Sequence, residues 1–369
     1  MCETGGNMKK LKQKILRLLK ELRVPGAIVS LKSKTYPSFN LIYGYSNLEQ
    51  RRKMDIKDRF RASSVTKTFT GIVFLQLYQE GLIKLDDPLS KYLFGIPNSK
   101  NITLREVGLM TSGIFNYIED PKVIETILQK PKRNWLTDEL LGITVTHDPY
   151  FPPGTDFHYS NGNTLILGLI IERITRNSLE NEIHKRIIKP LCLTETDFDT
   201  NARLRRPHME GYALKDNKPG KFERDAPGFD GVEFENVTTL NVSWAWAGGA
   251  ISSSVADMHR YAKYAIGKHV FLNKKTVKQQ RDWVSSMIED TICGPILRAY
   301  GFQLMKISTF IGHDGEIPGF NSVVLCEVAT QTTLVIAINL ELTADGQFPA
   351  NLLAFCIIKY LHKYFPKRH

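Results

Sequence analysis

Residues 60–67 read Phe-Arg-Ala-Ser-Ser-Val-Thr-Lys, and the last four of them decide how the rest of the chain is read. Ser64 and Lys67 stand three apart, so in a helix they share one face and a cation lies beside a hydroxyl. A serine hydroxyl is a weak nucleophile at neutral pH, and pairing with lysine is one of the recurrent ways of activating it for acyl transfer. The apolar stretch that follows, Phe69 to Leu82, reads as a buried helix ending at Gly81, with Asp87-Pro88 opening the next element. Ser64 and Lys67 therefore fall at a helix N-terminus, where free N–H groups and the dipole favour developing negative charge.

Outward from this helix the two ends of the chain are rich in strands. Val24 to Lys32 and Asn40 to Tyr45 precede it, and Tyr300 to Met305, Asn321 to Cys326 and Thr333 to Asn339 come late, before a closing helix at Ala350 to Tyr364. Between about 85 and 240 the patterns are helical, at Thr103 to Met110, Leu165 to Arg176 and Leu179 to Ile188, with long polar loops. Ser254, with Asp257 three later, caps a helix running to about Ile266. The distribution predicts an α+β protein: one antiparallel sheet built from both termini and flanked by helices (8–84 and 241–369), with a mostly helical domain inserted at 85–240. Residues 1–7 are expected to be disordered. A cleft between the two parts is the natural place for a site.

Composition narrows the function. The chain has 369 residues, 42% of them hydrophobic, enough for a large core. No apolar run approaches the length that spans a bilayer. The first twenty residues form an amphipathic basic helix, with Leu11, Ile15, Leu18 and Leu22 at helical spacing, rather than a secretory signal, so a cytoplasmic location is expected. The net charge of +11 is concentrated at the ends: residues 9–23 carry seven Lys/Arg against one acid, and the last twelve residues four against none. No nucleic-acid-binding signature accompanies it. Cys2, Cys192, Cys293, Cys326 and Cys356 are odd in number and irregularly spaced, which predicts neither a disulfide framework nor a zinc site and favours a reducing compartment. No other metal-ligand cluster is visible.

Three further features converge on Ser64 and Lys67. Phe151 to Asn163 places Tyr159, Ser160 and Asn161 after a Pro-Pro-Gly turn; residues 312–320 read Gly-His-Asp-Gly-Glu-Ile-Pro-Gly-Phe before a strand; and Gly248-Gly249 and Gly301-Phe302 lie in the same terminal region. Taken singly, each has a plain structural reading: a capping serine, a core aromatic, a strand-edge histidine. In this order they resemble the serine β-lactamase and penicillin-binding protein superfamily, in its branch of class C β-lactamases, D-alanyl-D-alanine carboxypeptidases and esterases. The resemblance spans roughly 20–345 and includes Thr111-Ser112-Gly113, Pro190-Leu191 and Ser253 to Met258. It implies a β-lactamase/transpeptidase-like fold and a cofactor-free serine hydrolase. By that resemblance Ser64 is the nucleophile, Lys67 and Tyr159 accept and return its proton, and Asn161 is a hydrogen-bond donor orienting Lys67 and the acyl group. The backbone N–H groups of Ser64 and Glu316 would form the oxyanion hole, and Gly315 would let substrate approach the strand.

The sequence departs from the family in its third motif. Where Lys-Thr-Gly or His-Thr-Gly is usual, this chain has His313-Asp314-Gly315-Glu316, and a histidine flanked by two acids is a poor host for a substrate carboxylate. The expected substrate is thus a small or peptide-like ester or amide, uncharged or carrying a free amine. β-Lactamase or D-Ala-D-Ala carboxypeptidase activity is the first alternative, and a catalytically silent binding protein of the same fold the second. Met110 replaces a common histidine and Cys192 a common glycine, both expected to alter packing alone. The family places its first and last helices together on the sheet's outer face; because both are basic here, peripheral contact with an anionic membrane is expected.

Overall fold

Strand β1 (Gly26–Lys32) is buried along all but its last residue because it is paired on both edges and covered on both faces, which explains its nearly continuous apolar sequence. In the computed structural model, which describes residues 2–215 and 233–365, it joins β2 (Phe39–Asn47) and β3 (Arg52–Lys53) from the N-terminal part. The C-terminal part supplies β4 (Val284–Glu289), β5 (Ile296–Gly301), β6 (Leu304–Ile307), β7 (Phe310–Ile317), β8 (Phe320–Glu327) and β9 (Thr332–Ile338). They form one nine-stranded sheet in the order β3-β2-β1-β9-β8-β7-β6-β5-β4. The two ends of the chain meet where β1 pairs antiparallel with β9, from Ala27 opposite Ile338 to Lys32 opposite Thr333. The α+β sheet expected from both termini is therefore observed.

Helices cover both faces. On one, α1 (Cys2–Glu21) packs against the closing helix, called α5 here (Pro349–Tyr364). Leu11, Ile15 and Leu19 of α1 share a core with Leu353, Ile357 and Leu361 and with Val29 and Ile336 of the sheet, while Lys9, Lys10, Lys14, Arg17 and Lys20 face outward. The helix already begins at Cys2, earlier than the expected start at residue 8. Of the basic residues counted at the C-terminus, Lys367 and Arg368 lie outside the described residues. On the other face, α2 (Thr66–Gln79) is buried from Thr66 through Leu77, as a helix apolar all round must be. It packs on α3 (Asn161–Thr175) and on the sheet, and α4 (Val255–Tyr261), capped by Ser254 as expected, lies over β1 and β9. The short strands Asp197–Phe198, Tyr212–Leu214 and Phe234–Asn236 interrupt the helical middle.

The cysteine reading requires correction. Cys293, in the β4–β5 hairpin, is disulfide-bonded to Cys356 of α5 across a separation of 63 residues. Wide spacing gave no hint of the pair because the fold, not the local sequence, brings the hairpin over that helix. The expectation of a reducing compartment rested on cysteine spacing and loses that support. Cys326 is buried and free, and Cys192 exposed and free. Cys192 takes φ 50°, the left-handed conformation that makes glycine the ordinary choice at this place. No helix among the described residues is long and apolar enough to cross a membrane.

Candidate active site

The turn before α2 places the hydroxyl. Ser63–Val65 is a single 3-10 turn running into α2, and Ser63 takes φ 54°, a costly conformation for a non-glycine residue that persists only where neighbours over-determine it. The restraint is visible: the Thr66 hydroxyl donates to the Ser63 carbonyl at 2.6 Å, and the Ser63 hydroxyl to the Arg61 carbonyl at 3.4 Å. Strand β7 presses on this turn. A Cβ added at Gly315 would stand 2.3 Å from the Ala62 carbonyl oxygen, so the chain's own backbone requires glycine at this position. The Ser322 hydroxyl also bonds the Ala62 carbonyl, at 3.0 Å. The N–H of Ser64 and the strand carrying Glu316 are thereby held next to each other.

Lys67 lies one turn on and is wholly buried. Its Nζ donates to Ser64 Oγ at 3.0 Å, to Asn161 Oδ1 at 2.7 Å and to the Gly248 carbonyl at 3.1 Å. Burial lowers its pKa to about 7 against the opposing charges of Glu316 and Asp314. Gly248 is needed here, since a Cβ would come within 3.1 Å of the amine. Tyr159 lies beside the pair, with the Lys67 Nζ 4.9 Å from its ring centroid. Burial, with the Tyr300 ring beside it, pushes the Tyr159 hydroxyl well above its ordinary value. At neutral pH the cluster thus holds a readily deprotonated amine and a protonated phenol around one serine.

Asn161 opens α3, with Ser160 as its N-cap. Toward Lys67 it is the acceptor and not the donor expected, its oxygen taking the Nζ proton. Its Nδ2 donates instead to Asn116 Oδ1 at 3.2 Å, and Asn116 Oδ1 also accepts from the Asn161 backbone N–H at 3.0 Å. Asn116 is in turn bonded to Glu119 at 3.0 Å, which takes the Tyr150 hydroxyl at 2.6 Å. Asn116 fixes which way the Asn161 amide points, and no motif announced it.

The third motif closes the other wall. His313 is fully buried, its Nε2 3.2 Å from the Tyr300 hydroxyl and its Nδ1 2.6 Å from the Asp314 carbonyl, so the structure sets it behind Tyr300 rather than in the open cleft. Asp314 and Glu316 both line a cavity of about 270 Å³ shared with Tyr159, Tyr300, Phe157 and Phe348. Asp314 is satisfied: Asn351 Nδ2 donates to it at 2.6 Å and Arg298 Nη2 at 3.3 Å. Burial alone would raise its pKa, yet the bond from His313 and the charge of Arg298 hold it down to about 2. Glu316 differs. Burial and the neighbouring Asp314 charge push it up to about 8, with Glu341 adding to the effect. Arg298, Tyr300 and Asn351 went unrecognised in the sequence; the Gly301-Phe302 signal lay one residue from Tyr300.

A family model described as Beta-lactamase matches residues 11–356. The chain belongs to the Beta-lactamase family. Among curated members, it is 27% identical to Protein flp of Staphylococcus aureus over 331 residues, 88% of this chain and 61% of that one. It is 24% identical to a Beta-lactamase of Escherichia coli over 293 residues, 79% of this chain and 69% of the other. The chain spans about three fifths of the length of the flp proteins it matches. The crystal structure of a D-stereospecific amidohydrolase from Streptomyces sp. superimposes with a TM-score of 0.78 at 27% identity, over 98% of this chain and 99% of the other. A D-amino acid amidase from Ochrobactrum anthropi shares the fold with a TM-score of 0.78 at 20% identity, over 96% and 99%. The chain is a β-lactamase-fold member of that family, with its Ser64, Tyr159 and Asn161 side chains gathered around Lys67.

Proposed function

We propose that this Beta-lactamase-family protein is a serine hydrolase that forms an acyl-enzyme on Ser64 and releases it to water. The observation that carries the reading is the buried Lys67 amine 3.0 Å from Ser64 Oγ, with a pKa near working pH as general-base catalysis requires. Neutral Lys67 takes the Ser64 proton as Oγ attacks the carbonyl carbon, and the carbonyl electrons move to the oxygen facing the Ser64 and Glu316 N–H groups. Tyr159, protonated at neutral pH, passes a proton to the leaving amine or alkoxide and is recharged from Lys67. Water repeats the sequence on the acyl ester.

The substrate reading is an amide or ester whose acyl part carries a free amine and no carboxylate. Glu316 faces the cavity beside Tyr159 with its carboxyl pushed up to about 8, so an incoming ammonium would draw it into the ionised form, while the Asp314 charge is already bonded to Arg298 and Asn351. The likeness to a D-stereospecific amidohydrolase supports D-configured amino acid amides as the first panel. A fluorophosphonate probe and a labelled penicillin separate the mechanisms: labelling of wild type by the first alone, lost in Ser64→Ala, is expected. Labelling by penicillin would move the substrate to β-lactams, and labelling by neither would leave a silent scaffold. Within the panel, D-phenylalanine amide is expected to be hydrolysed faster than its N-acetyl derivative; equal rates would overturn the amine reading.

A further inference from the structure

A second concavity lies away from this cleft. Its floor is the far end of the β1–β9 pair, at Lys32 and Thr333, and its opposite wall is α4 and the turn that continues it. Gly315 is joined through Ser322 and Ala337 to Ile28 by strand pairing. Lys32 and Thr333 are four residues further along, roughly 13 Å at the rise of an extended strand. The two cavities share no lining residue.

Four cations line it: Lys32 and Lys34 from the end of β1, and Arg260 and Lys263 from the facing helix, where a spacing of three sets them on one side. No lining side chain is acidic. Elsewhere arginines meet carboxylates, as Arg186 meets Glu80 and Glu182 and Arg105 meets Asp86. Here, among the described residues, none of the four is in a salt bridge, although the Arg260 charge acts on nearby Asp257. Arg260 Nη1 donates to the Leu191 carbonyl at 3.2 Å, and the Lys263 ammonium stands 5.5 Å from the Tyr264 ring centroid. Asp257, one turn before Arg260, accepts from Glu195 N and the Thr196 hydroxyl. Beneath the floor, His259 bridges Ser30 and Thr333 at 2.7 Å on each side. Burial together with the Lys32 charge lowers its pKa to about 3, leaving the ring neutral under the cations.

We infer that this cleft binds a small polyanion, a compound carrying two or more phosphoryl groups. The volume, about 890 Å³, is that of a small-molecule site. Four cations converging from two walls match charge concentrated on phosphate oxygens, which ammonium and guanidinium groups both recognise. A concave cleft fits a compact ligand better than the flat face of a macromolecule. The inference does not depend on the reaction at Ser64.

Calorimetric titration of the intact protein with tripolyphosphate at low salt tests it. Saturable one-to-one binding is expected, weakened at least tenfold in Arg260→Gln/Lys263→Gln and, from the other wall, in Lys32→Gln/Lys34→Gln, while ester hydrolysis stays unchanged. Cys192 lines the same cleft and is exposed, which gives a readout on the wild type alone. Tripolyphosphate should slow its alkylation by iodoacetamide, followed on the Cys192 peptide by mass spectrometry. No saturable binding, unprotected Cys192, or equal binding by both variant pairs would overturn the proposal. Phosphatidylserine vesicles form the last arm. Vesicle binding that the cleft variants abolish, without tripolyphosphate binding, would assign the site to a lipid headgroup and overturn the soluble ligand.

Discussion

The two walls of the proposed active site are built on opposite principles. Around Ser64, two side chains and one carbonyl converge on a single buried amine, and Asn116 behind them holds Asn161 in place. Around Glu316, the buried polar groups are distributed over β5, β7 and α5, where Asp314 is neutralised by Arg298 and hydrogen-bonded by Asn351 and Glu316 is left to the cavity. In the proposed reaction the first wall moves one proton and the second chooses what lies beside it. Changes on the first should therefore act on chemistry, and changes on the second on stability and preference.

The largest effects belong to the first wall. Ser64→Ala and Lys67→Ala should each lower kcat/KM for a p-nitrophenyl ester by about 10³-fold or more, as removal of one member of a catalytic unit does; full activity in either would remove the wall's assigned role. The pH profile sharpens the point. With Lys67 lowered to about 7 and needed unprotonated, kcat/KM should fall about tenfold per unit below that pH and level above it. Stability has the same origin. A lysine whose folded pKa is depressed binds its proton more weakly when folded, so wild-type stability should rise from pH 7 towards 10.5. Lys67→Met should lose that slope along with activity, and thermal melts of both proteins across this range measure it.

What could be read in the sequence divides along the same line. Ser64, Lys67, Tyr159 and Asn161 were legible because each is tied to a local pattern, a helix start or a turn before a cap, and the Ser254 cap and the strands at 24–32 and 333–339 were legible through burial periodicity. Arg298, Asn351 and the disulfide were not. Each acts through a partner on another element, Asp314 for the first two and Cys293 for Cys356, and no local period encodes such a meeting. Strand β4 was missed for a related reason: it is the sheet edge, with Met287 and Ile288 exposed and two serines in its run, so it shows no clean alternation. Asn161 meets Lys67, yet through its amide oxygen, because the residue that orients it, Asn116, lies 45 positions earlier.

The disulfide fastens the second wall. It joins the β4–β5 hairpin, which carries Met287 and Arg298, to α5, which carries Asn351. Closing a loop of 63 residues should stabilise the fold by about 4 kcal/mol through the unfolded chain. Cys293→Ser/Cys356→Ser should therefore shift a urea midpoint strongly while changing KM more than kcat; a kcat loss alone would show the walls to be coupled. Asp314→Asn should cost less, about 2–3 kcal/mol, because Arg298 keeps Glu289 at 2.7 Å. The contribution of Asp314, whose folded pKa is depressed, should be complete above pH 4 and disappear as pH falls towards about 2. Wild type and variant should then converge in stability at low pH.

The smallest expected effect is the one that distinguishes the walls best. Glu316→Gln keeps the size of the side chain and the strand N–H while removing the carboxyl, so an acyl-transfer rate limited by Lys67 should change little on a neutral p-nitrophenyl ester. Preference should change: if the carboxyl receives the substrate amine, the advantage of D-phenylalanine amide over its N-acetyl form should shrink by about tenfold, equivalent to about 1.4 kcal/mol. One further shift should accompany it. Glu316, pushed up to about 8, opposes the burial that lowers Lys67 only in the fraction of molecules in which it is ionised, so its loss should move the acidic limb of the kcat/KM profile slightly to lower pH. An unchanged preference with a shifted limb would mean that Glu316 serves the first wall by tuning its amine, and that the choice of substrate lies with the aromatic side chains around it.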